Sequence, residues 1–91
     1  MSMYLISVYD VNEERVAKIH KIMKKYLIWQ QNSTFEGYIT QGNFKKLKRD
    51  LYKIINKEED NIIFYIFNSK ENFIRLDFGV VKTKFEGLII K

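Results

Sequence analysis

The apolar residues of this chain form short continuous runs and longer periodic ones. Three runs, at residues 3–9, 62–67 and 73–80, are rich in β-branched and aromatic side chains and are too short for a typical helix. The first is polar only at Ser7, which favours a strand that is buried on both faces, and the second is another apolar strand. The third alternates and favours a strand with one wet face. The pattern predicts three strands at these positions.

Two other segments repeat apolar residues at helical spacing. The first follows Asn12, a good N-cap, and Glu13 and Glu14 put negative charge in its first turn, where the helix dipole favours it. We expect this helix to reach about Tyr26. The second follows Thr40 as N-cap. Their apolar positions are Val16, Ile19, Ile22, Met23, Tyr26 and Leu27 in the first helix, and Phe44, Leu47, Leu51, Ile54 and Ile55 in the second.

The segment between the helices completes the topology. Residues 27–39 are aromatic-rich around a turn-capable Asn32-Ser33 pair, which indicates two short strands or one bent strand. The element order then predicts an α+β, ferredoxin-like βαββαβ fold with an antiparallel sheet, helices on one side, and an additional C-terminal strand. We expect one domain over residues 1–91, with a core at 1–80 and a tail at 81–91.

A sheet with helices on one side has a second, bare face. Because the aromatic side chains on that face must be buried, we predict a two-fold homodimer in which a second copy covers them. The surplus strand and the apolar tail could add to the edge of the partner's sheet or contact another partner.

Composition limits the available chemistry. The 91 residues include no cysteine, no proline and one histidine, which excludes disulfides, cysteine-ligated metals, thiol nucleophiles and a multi-histidine site within one chain. No run approaches the roughly 20 apolar residues of a membrane span, and no export signal is visible, so we expect a soluble, cytoplasmic chain with no membrane partner. Carboxylates, hydroxyls, lysine, arginine and a hard cation remain.

The net charge of +5 has two interpretations. Lysines on one helix face are often ordinary solvated surface. Two such faces on the same side of one sheet, doubled by a dimer, instead favour a surface that binds nucleic-acid phosphates. The outward basic residues are Lys18, Lys21, Lys24 and Lys25 on the first helix and Lys45, Lys46, Lys48, Arg49 and Lys53 on the second.

Asp10 is the candidate catalytic residue. It ends the first strand just before a helix, where it could be an N-cap or turn residue, or a carboxylate that meets its symmetry mate across a dimer axis. Two carboxylates about 5 Å apart repel by roughly 3 kcal/mol at an effective dielectric near 20, so such a pair would raise one pKa or recruit Mg²⁺ or Mn²⁺. His20 is expected to be a partly buried hydrogen-bonding residue, and Trp29, Tyr9 and Phe35 core or interface residues.

Three segments carry a family resemblance. Val8-Tyr9-Asp10-Val11, Gln31-Asn32-Ser33-Thr34-Phe35-Glu36-Gly37 and Ile62-Ile63-Phe64-Tyr65 resemble the second CRISPR-associated protein, the small endonuclease of the CRISPR adaptation module. The resemblance implies a ferredoxin-like homodimer that works with the CRISPR integrase subunit to capture double-stranded DNA as new spacers, some members being metal-dependent nucleases on RNA or DNA.

The same resemblance implies residue roles. Asp10 matches the metal-binding aspartate, Tyr9 its adjoining tyrosine and Arg15 a helix-one arginine, while Ser33 and Phe35 match the second motif. Many relatives have arginines where this chain has lysines in the first helix. Lysine makes point-charge contacts with phosphate, which suits general DNA binding more than geometry-specific cleavage.

Three functions follow as expectations. The first is an adaptation subunit whose basic faces, with Arg15, hold duplex DNA. The second is a Mg²⁺- or Mn²⁺-dependent phosphodiesterase centred on Asp10. The alternative to both is a toxin-type endoribonuclease on the same fold.

Overall fold

The computed structural model describes residues 2–67 and 73–81 of the chain. Its elements are β1 Ser2–Asp10, α1 Glu13–Lys24, β2 Ile28–Gln31, β3 Thr34–Thr40, α2 Gln41–Tyr52, β4 Asn61–Phe67 and β5 Ile74–Gly79. The predicted element order is therefore confirmed. The turn expected at residues 68–70 and the tail at 82–91 lie outside the described residues.

The five strands form one antiparallel sheet in the order β2-β3-β1-β4-β5. The first four have the arrangement of a ferredoxin-like fold, and the surplus strand β5 extends the sheet beside β4. Asn32, at φ 46°, makes the turn between β2 and β3, so the segment is two strands and not one bent strand. The predicted α+β ferredoxin-like sheet with an extra strand is confirmed.

Local capping explains where the helices begin. The Asn12 side chain accepts a hydrogen bond from the Glu14 N–H at 3.0 Å, and the Thr40 hydroxyl accepts one from the Asn43 N–H at 3.1 Å. Each cap thereby satisfies one of the N–H groups that a helix leaves free at its start. Both predicted N-caps are confirmed.

The helices end earlier than their periodicity suggests. α2 ends at Tyr52, yet the N–H groups of Ile54 and Ile55 still donate to the Leu51 carbonyl at 2.9 and 3.1 Å. One further turn therefore keeps Ile55 buried after the regular helix has stopped. α1 likewise ends at Lys24, and the N–H groups of Tyr26 and Leu27 continue the turn by donating to the Met23 carbonyl.

The core lies between the two helices and one face of the sheet. Burial alternates along the strands, so only every second side chain of β1 and β3 is fully enclosed. The expectation that β1 is buried on both faces is therefore wrong for the single chain. The fully enclosed apolar residues are Leu5, Ile19, Met23, Phe35, Leu47, Leu51, Ile62 and Phe64.

The other side of the sheet carries a predominantly apolar surface, which we call the open face. Its rings contact one another: Tyr4 meets Tyr38 edge-on with centroids 4.9 Å apart, and the Tyr4 hydroxyl donates to Glu36. An ion pair between Arg75 and Asp77, at 2.7 Å, lies on the same face of β5. Its apolar members are Tyr4, Ile6, Val8, Tyr38, Ile63, Tyr65 and Phe67.

Candidate nuclease and nucleic-acid-binding site

Asp10 is the last residue of β1 and pairs with Asn61 at the start of β4. Its side chain is exposed. Because Asn12 caps α1, the N-cap interpretation of Asp10 is wrong, and strand pairing fixes its backbone instead. Asp10 lines an open depression together with Tyr9, Val11, Val16, Asn32 and Ser33.

The structure brings the two family motifs together at this depression. The Tyr9 N–H donates to the Ser33 carbonyl at 3.2 Å, which ties the end of β1 to the β2–β3 turn. Ser33 is half-buried in the wall of the depression. Tyr9 and Phe35, by contrast, are buried and their rings stack with centroids 6.3 Å apart. Tyr9 lines the depression and Phe35 packs against it from the core, and we call this pair of rings the floor of the site.

His20 supports that floor from α1. Its Nδ1 lies 3.4 Å from the Tyr9 hydroxyl, and its ring meets Phe35 edge-on at 5.0 Å. Burial raises the pKa of Tyr9, so its hydroxyl stays protonated at neutral pH. His20 is thus the partly buried hydrogen-bonding residue that its place on α1 predicts.

Arg15 lies beside the site but is engaged with carboxylates. Its guanidinium contacts Asp60 and Glu59, each at 2.6 Å, and Glu14 at 3.1 Å, and its side chain is only 15% exposed. The hydrogen bond to Asp60 is the main reason that the pKa of Arg15 is raised, with Glu59 adding to it. The nucleic-acid contact expected of Arg15 stays a prediction, and in the single chain this side chain serves the ion pairs.

The basic residues predicted on the helices share one side of the molecule, which we call the lysine surface. The turn that follows α1 is joined to α2 by the Tyr26 hydroxyl, which donates to Asp50 at 3.2 Å. Lys48 is half-buried, with its ammonium 4.4 Å from the centre of the Phe44 ring, and the other members are exposed. The lysine surface comprises Lys18, Lys21, Lys24, Lys25, Lys45, Lys46, Lys48, Arg49 and Lys53.

Two shallow depressions lie among the α2 lysines. One is lined by Met3, Gln41, Gly42, Phe44, Lys45 and Lys48, and the other by Lys45, Lys48, Arg49, Tyr52, Lys53 and Phe78. Both combine cationic walls with an apolar floor. Such a surface can hold an anionic chain without reading its sequence.

The residues fit a hard cation only in part. Within residues 2–67 and 73–81, no group of three or more histidine, cysteine, aspartate or glutamate side chains could hold a metal ion. Mg²⁺, however, commonly binds through one or two carboxylates and completes its shell with waters and substrate phosphates. Asp10 can supply one carboxylate, so a second copy of the chain or a bound phosphate would have to supply the rest.

Asp60 is the residue that sequence reasoning missed. It lies in an acidic turn that the sequence marks only as a break in periodicity, yet its side chain is fully enclosed. Burial by itself would raise its pKa, but hydrogen bonds from Arg15 and from the N–H groups of Asn56 and Asn12 outweigh burial and lower the pKa to about 2. No local pattern distinguishes it from Glu58 or Glu59.

None of the helices in the described part of the chain is long and apolar enough to cross a membrane.

Comparison with known proteins agrees with these features. The family model for CRISPR associated protein Cas2 matches residues 3–74. The CRISPR-associated endoribonuclease Cas2 of Dictyoglomus turgidum is 46% identical over 87 residues, covering 96% of this chain and all of that protein. Its namesake from Thermotoga maritima is 49% identical over 80 residues, which cover 88% of this chain and 92% of that protein.

A crystal structure of a Cas2 protein has the same architecture. It superposes with a TM-score of 0.73 at 42% identity, covering 91% of this chain and 90% of the other.

Proposed function

Because this chain belongs to the CRISPR-associated Cas2 protein family, we propose that it is a metal-dependent phosphodiesterase that cleaves RNA, with Asp10 as the catalytic residue. The observation that carries the proposal is the exposed carboxylate at the end of β1, which lies in an open depression and does not cap the helix that follows. The choice of RNA follows the relatives, which are named endoribonucleases.

Each residue of the depression has a role in this proposal. Asp10 would hold a Mg²⁺ or Mn²⁺ ion, and such an ion, when bound, neutralises charge on the phosphodiester and makes a bound water more acidic. Ser33 stands in the same wall and can donate a hydrogen bond to a substrate phosphate. Tyr9 and Phe35 keep the floor rigid, which holds the strand end in place.

The test replaces Asp10 by asparagine, which keeps the shape and removes the charge. We expect RNA cleavage to fall at least about a hundredfold, as when a positioned catalytic group is removed. Since Asp10 is exposed, the thermal unfolding midpoint should barely change. Asp50→Asn is the matched control, because it removes a carboxylate of α2 that contacts Tyr26 and Arg49 on the helix side of the molecule.

Cleavage that persists in Asp10→Asn, or in excess chelator, would assign the activity to another site or to a contaminant. A toxin-type endoribonuclease, the alternative activity on this fold, would arrest growth when expressed without any integrase partner.

The lysine surface favours a second role. We propose that a homodimer holds duplex DNA there by its phosphates while the CRISPR integrase subunit inserts the DNA as a new spacer. Support comes from the side-by-side helices, which put nine cations on one side of the sheet. Family membership supplies the adaptation setting.

Charge reversal tests this surface. In the triple variant Lys45→Glu, Lys46→Glu and Lys48→Glu, duplex affinity at low salt should drop, and the slope of log affinity against log salt should flatten by about 3. In a comparison of equal charge change, Lys45→Glu should weaken binding more than Lys57→Glu, because Lys57 lies at the edge of this surface, where its ammonium packs over Tyr52.

Unchanged duplex affinity at every salt concentration would rule out the lysine surface. Asp10→Asn should still bind duplex DNA, which separates binding from cleavage.

A further inference from the structure

Asp60 carries an unusually complete set of hydrogen bonds for a side chain that is fully enclosed. Its Oδ1 accepts from the Asn12 N–H at 2.9 Å and from Arg15 Nη2 at 3.1 Å. Its Oδ2 accepts from Arg15 Nε at 2.6 Å and from the Asn56 N–H at 2.8 Å. Each carboxylate oxygen therefore has one backbone partner and one guanidinium partner, in the bidentate arrangement that fixes geometry best.

Asp60 is connected to Asp10 both through its hydrogen-bond partners and through its own neighbour in the chain. Asn12 and Arg15 belong to the junction that follows Asp10 in the chain, where β1 passes into α1. Asn61, the strand partner of Asp10, follows Asp60 directly. The segment that carries Asp10 and the segment that pairs with it are thus held by one carboxylate.

The backbone of Asp60 adds a third connection. Its carbonyl accepts the Val80 N–H at 2.9 Å, immediately after β5. Gly79 has a φ of +88°, and a Cβ at that position would lie 1.9 Å from the same carbonyl oxygen. The end of β5 therefore seats directly on Asp60.

We infer that Asp60 is a positioning residue for Asp10: it fixes the β1–α1 junction so that the exposed carboxylate keeps one orientation toward cation and substrate. The inference rests on the cleavage proposed for Asp10. The position of the backbone limits where the oxygens of a carboxylate can lie, so a fixed backbone at the end of β1 helps to place the ligand. This assigns Arg15 to the same task, as the charge partner that keeps Asp60 ionised.

Stability alone does not account for this arrangement. A buried ion pair often contributes little net stability, because desolvation of the charges offsets their attraction. The four hydrogen bonds of Asp60 hold the segments that they join in a single geometry. The consequence that distinguishes positioning from general stability is local: loss of Asp60 should loosen residues 10–15 and leave α2 unaffected.

The first measurement is amide hydrogen exchange by NMR on the metal-free full chain. In Asp60→Asn, exchange at Asn12, Arg15 and Asn61 should accelerate roughly tenfold or more, while α2 amides keep their wild-type rates. Asp50→Asn, which removes a carboxylate that joins α2 to the turn after α1, should leave residues 10–15 unchanged. Uniform acceleration throughout the chain, or none at residues 10–15, would overturn the inference.

The second measurement is the Mn²⁺ dependence of RNA cleavage. We expect the Mn²⁺ concentration at half-maximal rate to rise about tenfold or more in Asp60→Asn, the usual range when a group supporting a metal ligand is removed. A merely structural role would lower the maximal rate in proportion to the unfolded fraction and leave that concentration unchanged. The latter result would contradict positioning.

The two measurements distinguish a failure of the proposed function from a failure of the inference about Asp60. If the wild type neither cleaves RNA nor binds Mn²⁺, the proposed function fails, and amide exchange still decides whether Asp60 fixes the Asp10 segment. If Asp60→Asn does not fold, Arg15→Lys replaces it, because lysine keeps the charge but cannot reproduce the Nε and Nη2 contacts. The same local loosening at residues 10–15 is then expected, and wild-type exchange there would overturn the inference.

Discussion

At the scale of single residues, Asp60 gives the chain a defined response to acid. Its folded-state pKa of about 2 lies below the ordinary value of 3.8, so between these values the unfolded chain binds more protons than the folded one. The stabilisation is complete above about pH 5 and is lost as pH falls through 2. Its size is roughly 2 kcal/mol, from 1.36 kcal/mol per pKa unit.

Urea unfolding at pH 5, 4, 3 and 2 measures this response. Asp60→Asn should show a shallower fall in unfolding free energy than the wild type, by about 2 kcal/mol over this interval. Asp77, whose pKa the Arg75 guanidinium lowers, contributes in both proteins and cancels in the comparison. Identical pH slopes in the two proteins would mean that Asp60 is not ionised against Arg15 in the folded chain.

At the scale of elements, two glycines differ sharply in what their neighbours allow. A side chain at Gly79 would have to adopt a left-handed backbone conformation, and its Cβ would overlap the Asp60 carbonyl. Gly79→Ala should therefore lower the unfolding free energy by at least about 2 kcal/mol, or the midpoint by about 10 °C.

Replacing Gly42 by alanine should have the opposite effect on the unfolding free energy. Gly42 lies in α2, and apart from its chain neighbours and the backbone of the helix itself, no atom in the described part of the chain comes within 4 Å of the place that an alanine Cβ would take. Gly42→Ala should therefore raise the unfolding free energy by about 0.5 kcal/mol. Thermal unfolding followed by circular dichroism checks both variants together. Equal midpoints for the two would show that β5 does not end against Asp60.

Local signals made most of the fold predictable. Asn12 and Thr40 identify their helices because a cap acts on residues two or three positions away. The stop of α2 at Tyr52 escaped prediction, since Ile54 and Ile55 continue the apolar spacing through a turn that is no longer regular helix. The apolar periodicity therefore predicts which side chains are buried. It predicts less well the residue at which regular helical hydrogen bonding ends.

The site was only partly predictable for a related reason. Asp10 is recognisable from the motif that surrounds it, and its strand-end position follows from the pattern. The pair Arg15 and Asp60 is separated by 45 residues, and only the β1–β4 register brings the two together. The family resemblance placed Arg15 among the nucleic-acid contacts, whereas in the single chain its guanidinium contacts three carboxylates.

At the scale of the whole molecule, the open face is the surface on which we expect a second copy of the chain to pack. Tyr65 lies near its middle, opposite Ile6 on one side and Arg75 on the other. Two such faces packed together would cover the rings of both sheets, as sheet packing requires. We therefore expect a dimer of twice the 11.0 kDa chain mass in analytical ultracentrifugation.

Tyr65→Glu tests the dimer and its link to Asp10 together. The new carboxylate faces Arg75 within one chain, so the protomer should fold, but it would be buried without water in a dimer and should shift the chain to monomer. Tyr52→Glu makes the same change on the helix side, where the ring is half-exposed, and should leave the dimer intact. If a metal ion needs one Asp10 from each protomer, RNA cleavage by Tyr65→Glu should fall in step with the dimer fraction. Full cleavage by a monomeric Tyr65→Glu would show that a single Asp10 suffices.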